Sequence, residues 1–215
     1  MMGPTMLERG SEALKMTYLP RITSGEIEMA LGYTEPQAGS DLASLELRAE
    51  KSDGYYILNG QKTFNSVGHY ADAFWLGVRT QKIVPKHRGI SMIIADARTP
   101  GITIRPLWRM DGGRANEIFF DDVRVPEGNL VGEENKGWYY LMEALNRERI
   151  FATHIGTLQR ILDDLVQYAR ETEYNGKLIA GNPLIRHSLA EMAIETKITR
   201  LLCIMLYGWT PIIWK

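Results

Sequence analysis

Residues 41–126 alternate between apolar and polar side chains, and this period of two limits the fold more than any other feature of the chain. Leu45, Leu47 and Ala49 alternate with charged residues at positions 46, 48 and 50. Because successive side chains of a strand point to opposite faces, this alternation predicts strands with one buried face. Several short strands of this kind at regular spacing predict an antiparallel barrel or sandwich.

Glycine-containing dipeptides mark turns between the predicted strands. Asp53-Gly54 and Asn59-Gly60 both favour tight hairpin turns. Further strands are predicted at 55–58, 74–78, 90–95, 102–104 and 117–120.

Helical periodicity flanks the predicted strands on both sides. The apolar spacing from Gly137 to Thr172 predicts one long helix, which Asn175-Gly176 ends. Asn182 is a favourable N-cap and Pro183 a favourable first residue for the next helix. A shorter helix is predicted from Thr5 to Pro20, with the proline as its end. The predicted fold class is therefore α+β, an antiparallel β-barrel or sandwich in the middle of the chain, flanked by helices.

Composition narrows the classes of partner. The 215 residues are 45% hydrophobic and 24% charged, with a net charge of -1, and no dense Lys/Arg tract indicates a nucleic acid partner. Cys203 is the single cysteine, so no disulfide can form within the chain. No apolar run has the length of a membrane span. The four histidines lack metal-ligand spacing, so no metal site is predicted.

The segment Ala30–Asp41 has little helical or strand character and is predicted to be a rigid polar loop. Pro36 fixes its own φ, and Gly39 lets a ligand approach the main chain. Thr34 and Ser40 supply hydroxyls. The residues alone leave two interpretations open: an ordinary surface turn, or a loop that holds a phosphate or a heteroaromatic edge on backbone N–H groups.

A carboxylate interrupts an apolar helical face in the second half of the chain. The side chains of this face come from Leu141, Leu145, Glu148, Ala152 and Ile155. A carboxylate in such a place is costly unless it is paired or functional. Both interpretations of Glu148, a structural charge and a functional base, remain open on these residues.

The loop and a second stretch, Leu58–Ser66, together resemble the middle domain of the acyl-CoA dehydrogenase family. There, Thr-Glu-Pro-x-Ala-Gly-Ser-Asp is followed by Asn-Gly-x-Lys-x-Trp-Ile-Thr, and this chain has Thr-Glu-Pro-Gln-Ala-Gly-Ser-Asp and Asn-Gly-Gln-Lys-Thr-Phe-Asn-Ser. The resemblance continues through Asn116–Asn129 into the helices that follow. It implies a flavin-binding β-domain at 26–135, the tail of an N-terminal helical domain at 1–25 and the first helices of a C-terminal bundle at 136–215.

The resemblance also implies FAD as the cofactor and a set of residues around it. Thr34 matches the threonine near the pyrimidine end of the flavin, and Ser40 the serine near the pyrophosphate and substrate. Phe64 stands where the family usually has a stacked Trp, Ser66 where it has a Thr near N5, and Asn65 departs from the usual Ile. The implied cofactor-binding set is Leu31, Tyr33, Thr34, Gly39, Ser40, Phe64, Asn65 and Ser66.

Substrate contacts follow from the same resemblance. Glu148 precedes Arg149 as the catalytic base does in the isovaleryl and long-chain types, so the base is expected there. Asn146 and Arg149 are expected to frame the CoA end of the substrate, with Ser40 as a third contact. Thr172 replaces an Arg that in many members reaches the FAD of a neighbouring subunit.

The expected reaction is the α,β-dehydrogenation of an acyl-CoA thioester, with electrons passed to an electron-transfer flavoprotein. A homo- or hetero-oligomer in a bacterial or archaeal cytoplasm is expected, more than a mitochondrial location. Two alternatives remain open: flavin monooxygenase or nitroalkane-oxidase chemistry on the same fold, and a truncated, non-catalytic partner subunit. The resemblance implies that family members continue beyond this chain at both ends.

Overall fold

The computed structural model describes residues 2–151 and 154–209, with the backbone alone described at 149–151 and 206–209. The chain forms two compact units, Met1–Leu145 and Asn146–Lys215. The first holds a curled seven-stranded sheet with helices, so the predicted α+β class is confirmed. The predicted division at 1–25, 26–135 and 136–215 stays a prediction.

The strands of the sheet, in chain order, are β1 (Met29–Gly32), β2 (Arg48–Ser52), β3 (Tyr55–Asn65), β4 (Ala73–Arg79), β5 (Ile90–Asp96), β6 (Ile102–Trp108) and β7 (Arg114–Pro126). Most neighbours pair antiparallel, as predicted, but β4 pairs in parallel with β1 and, through Arg79 and Arg48, with β2. The sheet is therefore mixed. Strand β5 lies along β4 in antiparallel register.

The tight turn at Asp53-Gly54 is confirmed, and the one at Asn59-Gly60 is wrong. Asp53 and Gly54 both have positive φ, at 49° and 80°, as a two-residue hairpin turn requires. Gly60 instead lies inside β3, where the register with β7 shifts between Leu58 and Gly60. Two steps along β3 match three along β7, so the bulge lies on β7, where Asp122 has φ 48°, and Gly60 takes φ 144° at the same irregularity.

The N-terminal helical segment is two helices, α1 (Met2–Arg9) and α2 (Glu12–Thr23), which corrects the single helix predicted over Thr5–Pro20. A Cβ at Gly10 would lie 2.6 Å from Met6 O, so glycine is required where the chain leaves α1. Ser11 then caps α2 by accepting the Leu14 N–H at 3.3 Å. Pro20 lies within α2 and does not end it.

The long helix predicted from Gly137 to Thr172 is also two helices, α3 (Gly137–Phe151) and α4 (Ile155–Glu171). His154 separates them because it has the left-handed conformation, φ 46° and ψ 38°, and cannot continue a right-handed helix. Ala152 lies outside the described residues, and Ile155 belongs to α4. The apolar face predicted to run through Glu148 therefore does not continue along one helix.

The rest of the second unit follows the predicted signals in part. Helix α4 ends at Glu171, where Thr172 turns extended, and not at the predicted Asn175-Gly176. That dipeptide forms the turn of a small hairpin, β8 (Glu173–Tyr174) and β9 (Lys177–Leu178). Asn182 Oδ1 accepts the Leu184 N–H at 2.9 Å, which confirms it as the cap of α5 (Pro183–Trp209). Many apolar side chains of α4 and α5 are exposed, among them Leu165, Tyr168, Ile194, Ile198, Leu201 and Leu202.

Two clusters of buried side chains lie on the two faces of the sheet strand β4. One contains Phe74 and Leu76 with the inward residues of β2, β3 and β7. The other contains Trp75 together with side chains of α1, α2 and the start of α3. Adjacent residues of β4 enter different clusters because strand side chains alternate between faces. The sheet is thus covered on both faces at β4. The neighbouring strand β1 also contributes to both clusters, through Ala30 and Met29.

Gly32, the last residue of β1, is closed to any larger residue. A Cβ there would overlap Leu76 Cδ2. Gly32→Ala should therefore lower the free energy of unfolding by about 1–3 kcal/mol, as overpacking in a core does. Gly128→Ala is the matched control, because a Cβ there has no atom within 4 Å. Urea unfolding of both variants checks this, and equal midpoints would contradict it.

Candidate functional site

Three hydrogen bonds hold the end of β1 and the start of the polar loop against the end of β3. The Leu31 carbonyl accepts from Asn65 Nδ2, and the Tyr33 carbonyl accepts from Lys62 Nζ at 3.0 Å. The Thr34 carbonyl accepts the Thr63 N–H at 2.9 Å. The two motifs, well separated in sequence, are therefore adjacent along their main chains.

A buried ion pair fixes the loop. Lys62 Nζ lies 2.7 Å from Glu35 Oε1, and the Lys62 side chain has no exposed surface. The same carboxylate accepts the backbone N–H groups of Glu46 and Leu47, the latter at 2.8 Å, and the Gln37 amide at 2.7 Å. One carboxylate thus joins the loop, the approach to β2 and the middle of β3. Burial lowers the pKa of Lys62 to about 8, and Glu35 opposes that shift.

The part of the loop after Glu35 turns back on itself and leaves its tip open. Glu35 and Ala38 exchange backbone bonds, Glu35 N to Ala38 O at 3.1 Å and Ala38 N to Glu35 O at 3.0 Å. Ala38 is buried, whereas Gly39 and Ser40 are exposed. A Cβ at Gly39 would meet no atom within 4 Å. The tip is therefore anchored at its base and accessible at Gly39 and Ser40.

Phe64 has an unusual backbone and an unusual exposure. It lies on β3 with φ 59°, in the left-handed region that bulky residues rarely adopt. Its side chain is 64% exposed although both neighbours, Thr63 and Asn65, are buried. Strained residues of this kind are concentrated at binding and catalytic sites. The structure therefore presents an aromatic ring to solvent at the point where the polar loop runs past β3.

Asn65 and Ser66 differ in what they offer to a ligand. The Asn65 side chain is buried, where its amide bonds the Leu31 carbonyl and the Val67 N–H, the latter at 3.2 Å. Ser66 is exposed. Leu31 and Thr34 are half-buried, and Tyr33 is buried. The roles assigned to these residues stay predictions, and the Asn65 amide is already engaged within the protein.

The predicted base and two of the three predicted substrate residues, Asn146 and Arg149, lie on the part of α3 that belongs to the second unit. Asn146 is exposed and Glu148 is half-buried, while the Arg149 side chain lies outside the described part of the chain. Thr172 follows the end of α4, where its N–H bonds the Tyr168 carbonyl at 2.9 Å. The role of Glu148 as a base stays a prediction.

Sequence analysis missed three residues that build this region: Lys62, Arg79 and Asn116. Lys62 has the same strand parity as buried Tyr56 and Leu58, so its place on the inward face was visible in the pattern. Arg79 bonds the carbonyls of Ala43 and Leu45, at 2.7 and 2.9 Å through Nη2, and no local pattern signals this. Asn116 is fully buried and bonds the Asn65 carbonyl at 2.9 Å.

Over 2–151 and 154–209, no group of three or more His, Cys, Asp or Glu could hold a metal ion. None of the helices within those ranges is both long enough and apolar enough to cross a bilayer.

Two family models match most of the chain. Residues 30–123 match the model described as acyl-CoA dehydrogenase, middle domain. Residues 135–207 match the model described as acyl-CoA dehydrogenase, C-terminal domain.

Curated relatives and solved structures agree with these matches. The chain is 40% identical to acyl-CoA dehydrogenase FadE29 of Mycobacterium tuberculosis over 93% of its own length and 52% of that protein. It is 38% identical to mitochondrial isovaleryl-CoA dehydrogenase of Pongo abelii, over 87% of this chain and 46% of that protein. The Mycobacterium tuberculosis ChsE4-ChsE5 complex contains a similar chain, with a TM-score of 0.84 and 34% identity, over 96% of this chain and 54% of that one. The chain thus spans about half the length of the relatives it matches.

Loss of Lys62 should destabilise the first unit strongly, because Glu35 would remain buried without its counter-ion. Lys62→Met is expected to lower the free energy of unfolding by about 3–5 kcal/mol, as removal of one partner from a buried pair does. Adding Glu35→Gln to that variant should restore part of the loss. Lys51→Met is the control, since Lys51 forms its 3.1 Å pair with Glu127 at the surface and should leave the urea midpoint nearly unchanged. Similar midpoints for both lysine variants would contradict the anchoring role.

Proposed function

The chain belongs to the acyl-CoA dehydrogenase family, and from that premise we propose that the whole protein is an FAD-dependent dehydrogenase that forms an α,β double bond in an acyl-CoA thioester. The observation that carries the proposal is Phe64, a solvent-exposed aromatic ring held on a strained backbone beside the polar loop. Exposure of this apolar ring to water is unfavourable, and a flat aromatic ligand that stacks on the ring would remove that surface from water.

The residues of this region fit the chemistry of a flavin nucleotide. The loop tip is open at Gly39 and Ser40, where a polar group can reach the main chain. The hydroxyls of Thr34, Ser40 and Ser66 can donate to or accept from the polar edge of the ring system and its phosphates. Phe64 would stack against the ring, and Leu31, Tyr33, Gly39 and Asn65 complete the proposed FAD-binding set.

Bound FAD would supply the redox chemistry by accepting a hydride from the substrate β-carbon. The chain's own task is then to remove the α-proton, for which we assign Glu148 as the general base. Glu148 is half-buried on α3 and precedes Arg149, as expected for the isovaleryl type of the family. Ser40, Asn146 and Arg149 are proposed to contact the substrate, the last two at its CoA end.

The proposed partners are an electron-transfer flavoprotein, which would reoxidise the FAD, and further subunits. The exposed apolar side chains along α4 and α5 support burial of this unit against other protein. The mass of the whole protein in solution distinguishes an oligomer of identical chains from one that contains a different chain.

The first test of the function is the absorbance spectrum of the purified whole protein, followed by anaerobic titration with a panel of acyl-CoA thioesters. Bleaching of the flavin band near-stoichiometrically by one or more thioesters is the expected result. Oxygen consumption that yields peroxide or a hydroxylated product would favour monooxygenase or oxidase chemistry instead. A protein that neither carries nor binds FAD would contradict the proposal.

Phe64→Ala should weaken FAD binding by about two- to tenfold, because aromatic stacking contributes on the order of 0.5–1.5 kcal/mol and ~1.4 kcal/mol corresponds to tenfold in affinity. Trp108→Ala is the matched control: this aromatic side chain of β6 is 71% exposed and is not part of the proposed set. Fluorescence titration of apoprotein with FAD measures both. The assignment fails if the Phe64 variant keeps wild-type affinity or if the Trp108 variant loses as much.

Glu148→Gln should slow flavin reduction by acyl-CoA by about 10²–10⁴-fold, the usual contribution of a general base, while the spectrum of bound FAD stays close to normal. Glu143→Gln is the control on the same helix, because Glu143 forms a 2.9 Å ion pair with Arg9 and has no proposed role in the reaction. Anaerobic stopped flow of the flavin-loaded protein gives both rates. A change within about threefold for Glu148→Gln would remove it as the base.

A further inference from the structure

The strained conformation of Phe64 coincides with an extra residue in β3. Lys62 pairs with Ile118 of β7, and Asn65 pairs with Asn116. Three steps along β3 therefore match two steps along β7, which is a β-bulge over Thr63 and Phe64. Because strand side chains alternate, this single extra residue decides whether the Phe64 ring faces solvent or the sheet interior.

A side chain closes the ladder where the bulge ends. Asn116 Nδ2 donates to the Asn65 carbonyl at 2.9 Å, and the Asn116 side chain is fully buried. Arg114 Nε donates to Asn116 Oδ1 at 2.9 Å. A guanidinium can only donate, so it fixes the amide with its oxygen toward Arg114 and its NH₂ group toward Asn65. The same NH₂ group lies 3.2 Å from His69 Nδ1, which is then the acceptor.

The contact continues from Asn65 to the start of the polar loop. The Asn65 side chain donates to the Leu31 carbonyl on β1. Gly68 leaves the space for that amide, since a Cβ there would lie 2.7 Å from Asn65 Oδ1. Two buried amides thus connect β7 to β3 and β3 to β1, both through Asn65, the residue that follows Phe64.

We propose that Asn116 is a positioning residue for the FAD site, one that holds Phe64 in its left-handed, outward conformation through the Asn65 carbonyl. The inference rests on the proposed function for its ligand, but its mechanical part concerns the apoprotein alone. Without the Asn116 amide, the Asn65 carbonyl loses this side-chain donor at the end of the bulge. Phe64 then relaxes toward an extended conformation, and its ring leaves the solvent face.

A double-mutant cycle with Asn116→Leu and Phe64→Gly tests this on FAD affinity. Leucine matches asparagine in shape and removes the amide, and glycine accepts positive φ without strain and has no ring to position. Asn116→Leu should weaken FAD binding in the wild-type background by no more than removal of the Phe64 ring does, about two- to tenfold, and should have almost no effect in the Phe64→Gly background. An equal loss in both backgrounds would show a general structural role and overturn the proposal, as would wild-type affinity in Asn116→Leu.

Asn129→Leu is the matched control, because Asn129 Nδ2 makes a similar 2.8 Å bond to the Ile94 carbonyl. Any loss of FAD affinity that it causes should be the same in both backgrounds.

The apoprotein separates failure of this inference from failure of the proposed function. Phe64→Gly should raise the urea midpoint in the wild-type background by releasing backbone strain, and the gain should disappear when Asn116→Leu has already released it. Additive midpoint shifts overturn the positioning role whether or not the protein binds FAD. Absence of FAD binding by wild type, together with coupled midpoints, would leave Asn116 as the residue that positions Phe64 and reject FAD as the ligand. If Asn116→Leu does not fold, Asn116→Thr replaces it in both cycles, since its hydroxyl can donate to only one of the two acceptors.

Discussion

The ion pair between Lys62 and Glu35 is the constraint on which the candidate site depends. A charged pair without exposed surface survives only when its remaining hydrogen-bonding capacity is satisfied, and here two backbone N–H groups and an amide complete the carboxylate. Those donors come from the loop itself and from the approach to β2, whereas the ammonium comes from β3 and also bonds the Tyr33 carbonyl. The polar loop can therefore have a defined shape without regular secondary structure, because a single buried carboxylate replaces the ladder that a strand would have supplied.

Much of the fold follows from local patterns in the sequence. Period-two alternation indicates strands with one buried face, such as the start of β3, whereas β4 and β5 are buried on both faces. Asp53-Gly54 marked a hairpin because both residues tolerate positive φ. The errors occurred where tertiary context overrides the same signals. Asn59-Gly60 has the composition of a turn, yet β3 continues through it and stays paired with β7, which accommodates the irregularity with an extra residue of its own. The single helix predicted through residues 137–172 failed at His154, since a left-handed histidine carries no compositional mark.

The membership of the candidate site stays a prediction from motif resemblance, which assigns Thr34, Ser40, Phe64 and Ser66 to it. The geometry of the region could not be predicted, because nothing in a sequence reveals that Phe64 has φ 59° or that its neighbours are buried while it is exposed. Asn116 could not be predicted for a related reason. Its contact is with Asn65, 51 positions away in the sequence, and depends on a register shift between β3 and β7. Lys62 is the exception, since a charged residue in the inward phase of a strand is itself a sign that a buried partner of opposite charge faces it.

Strand β4 offers one edge to two different partners, β1 at Ala73–Leu76 and β2 at Arg79. The segment between β1 and β2 therefore leaves the sheet and returns to it within three residues of the same strand, a span of about 10 Å at roughly 3.3 Å per residue. Its ends stay close whatever its length, and lengthening such an excursion adds only about 0.6 kcal/mol of closure entropy per doubling. Extra residues at the exposed tip, Gly39 and Ser40, would therefore leave strand register intact, because the contacts that Glu35 and Arg79 make to this segment lie on either side of the tip.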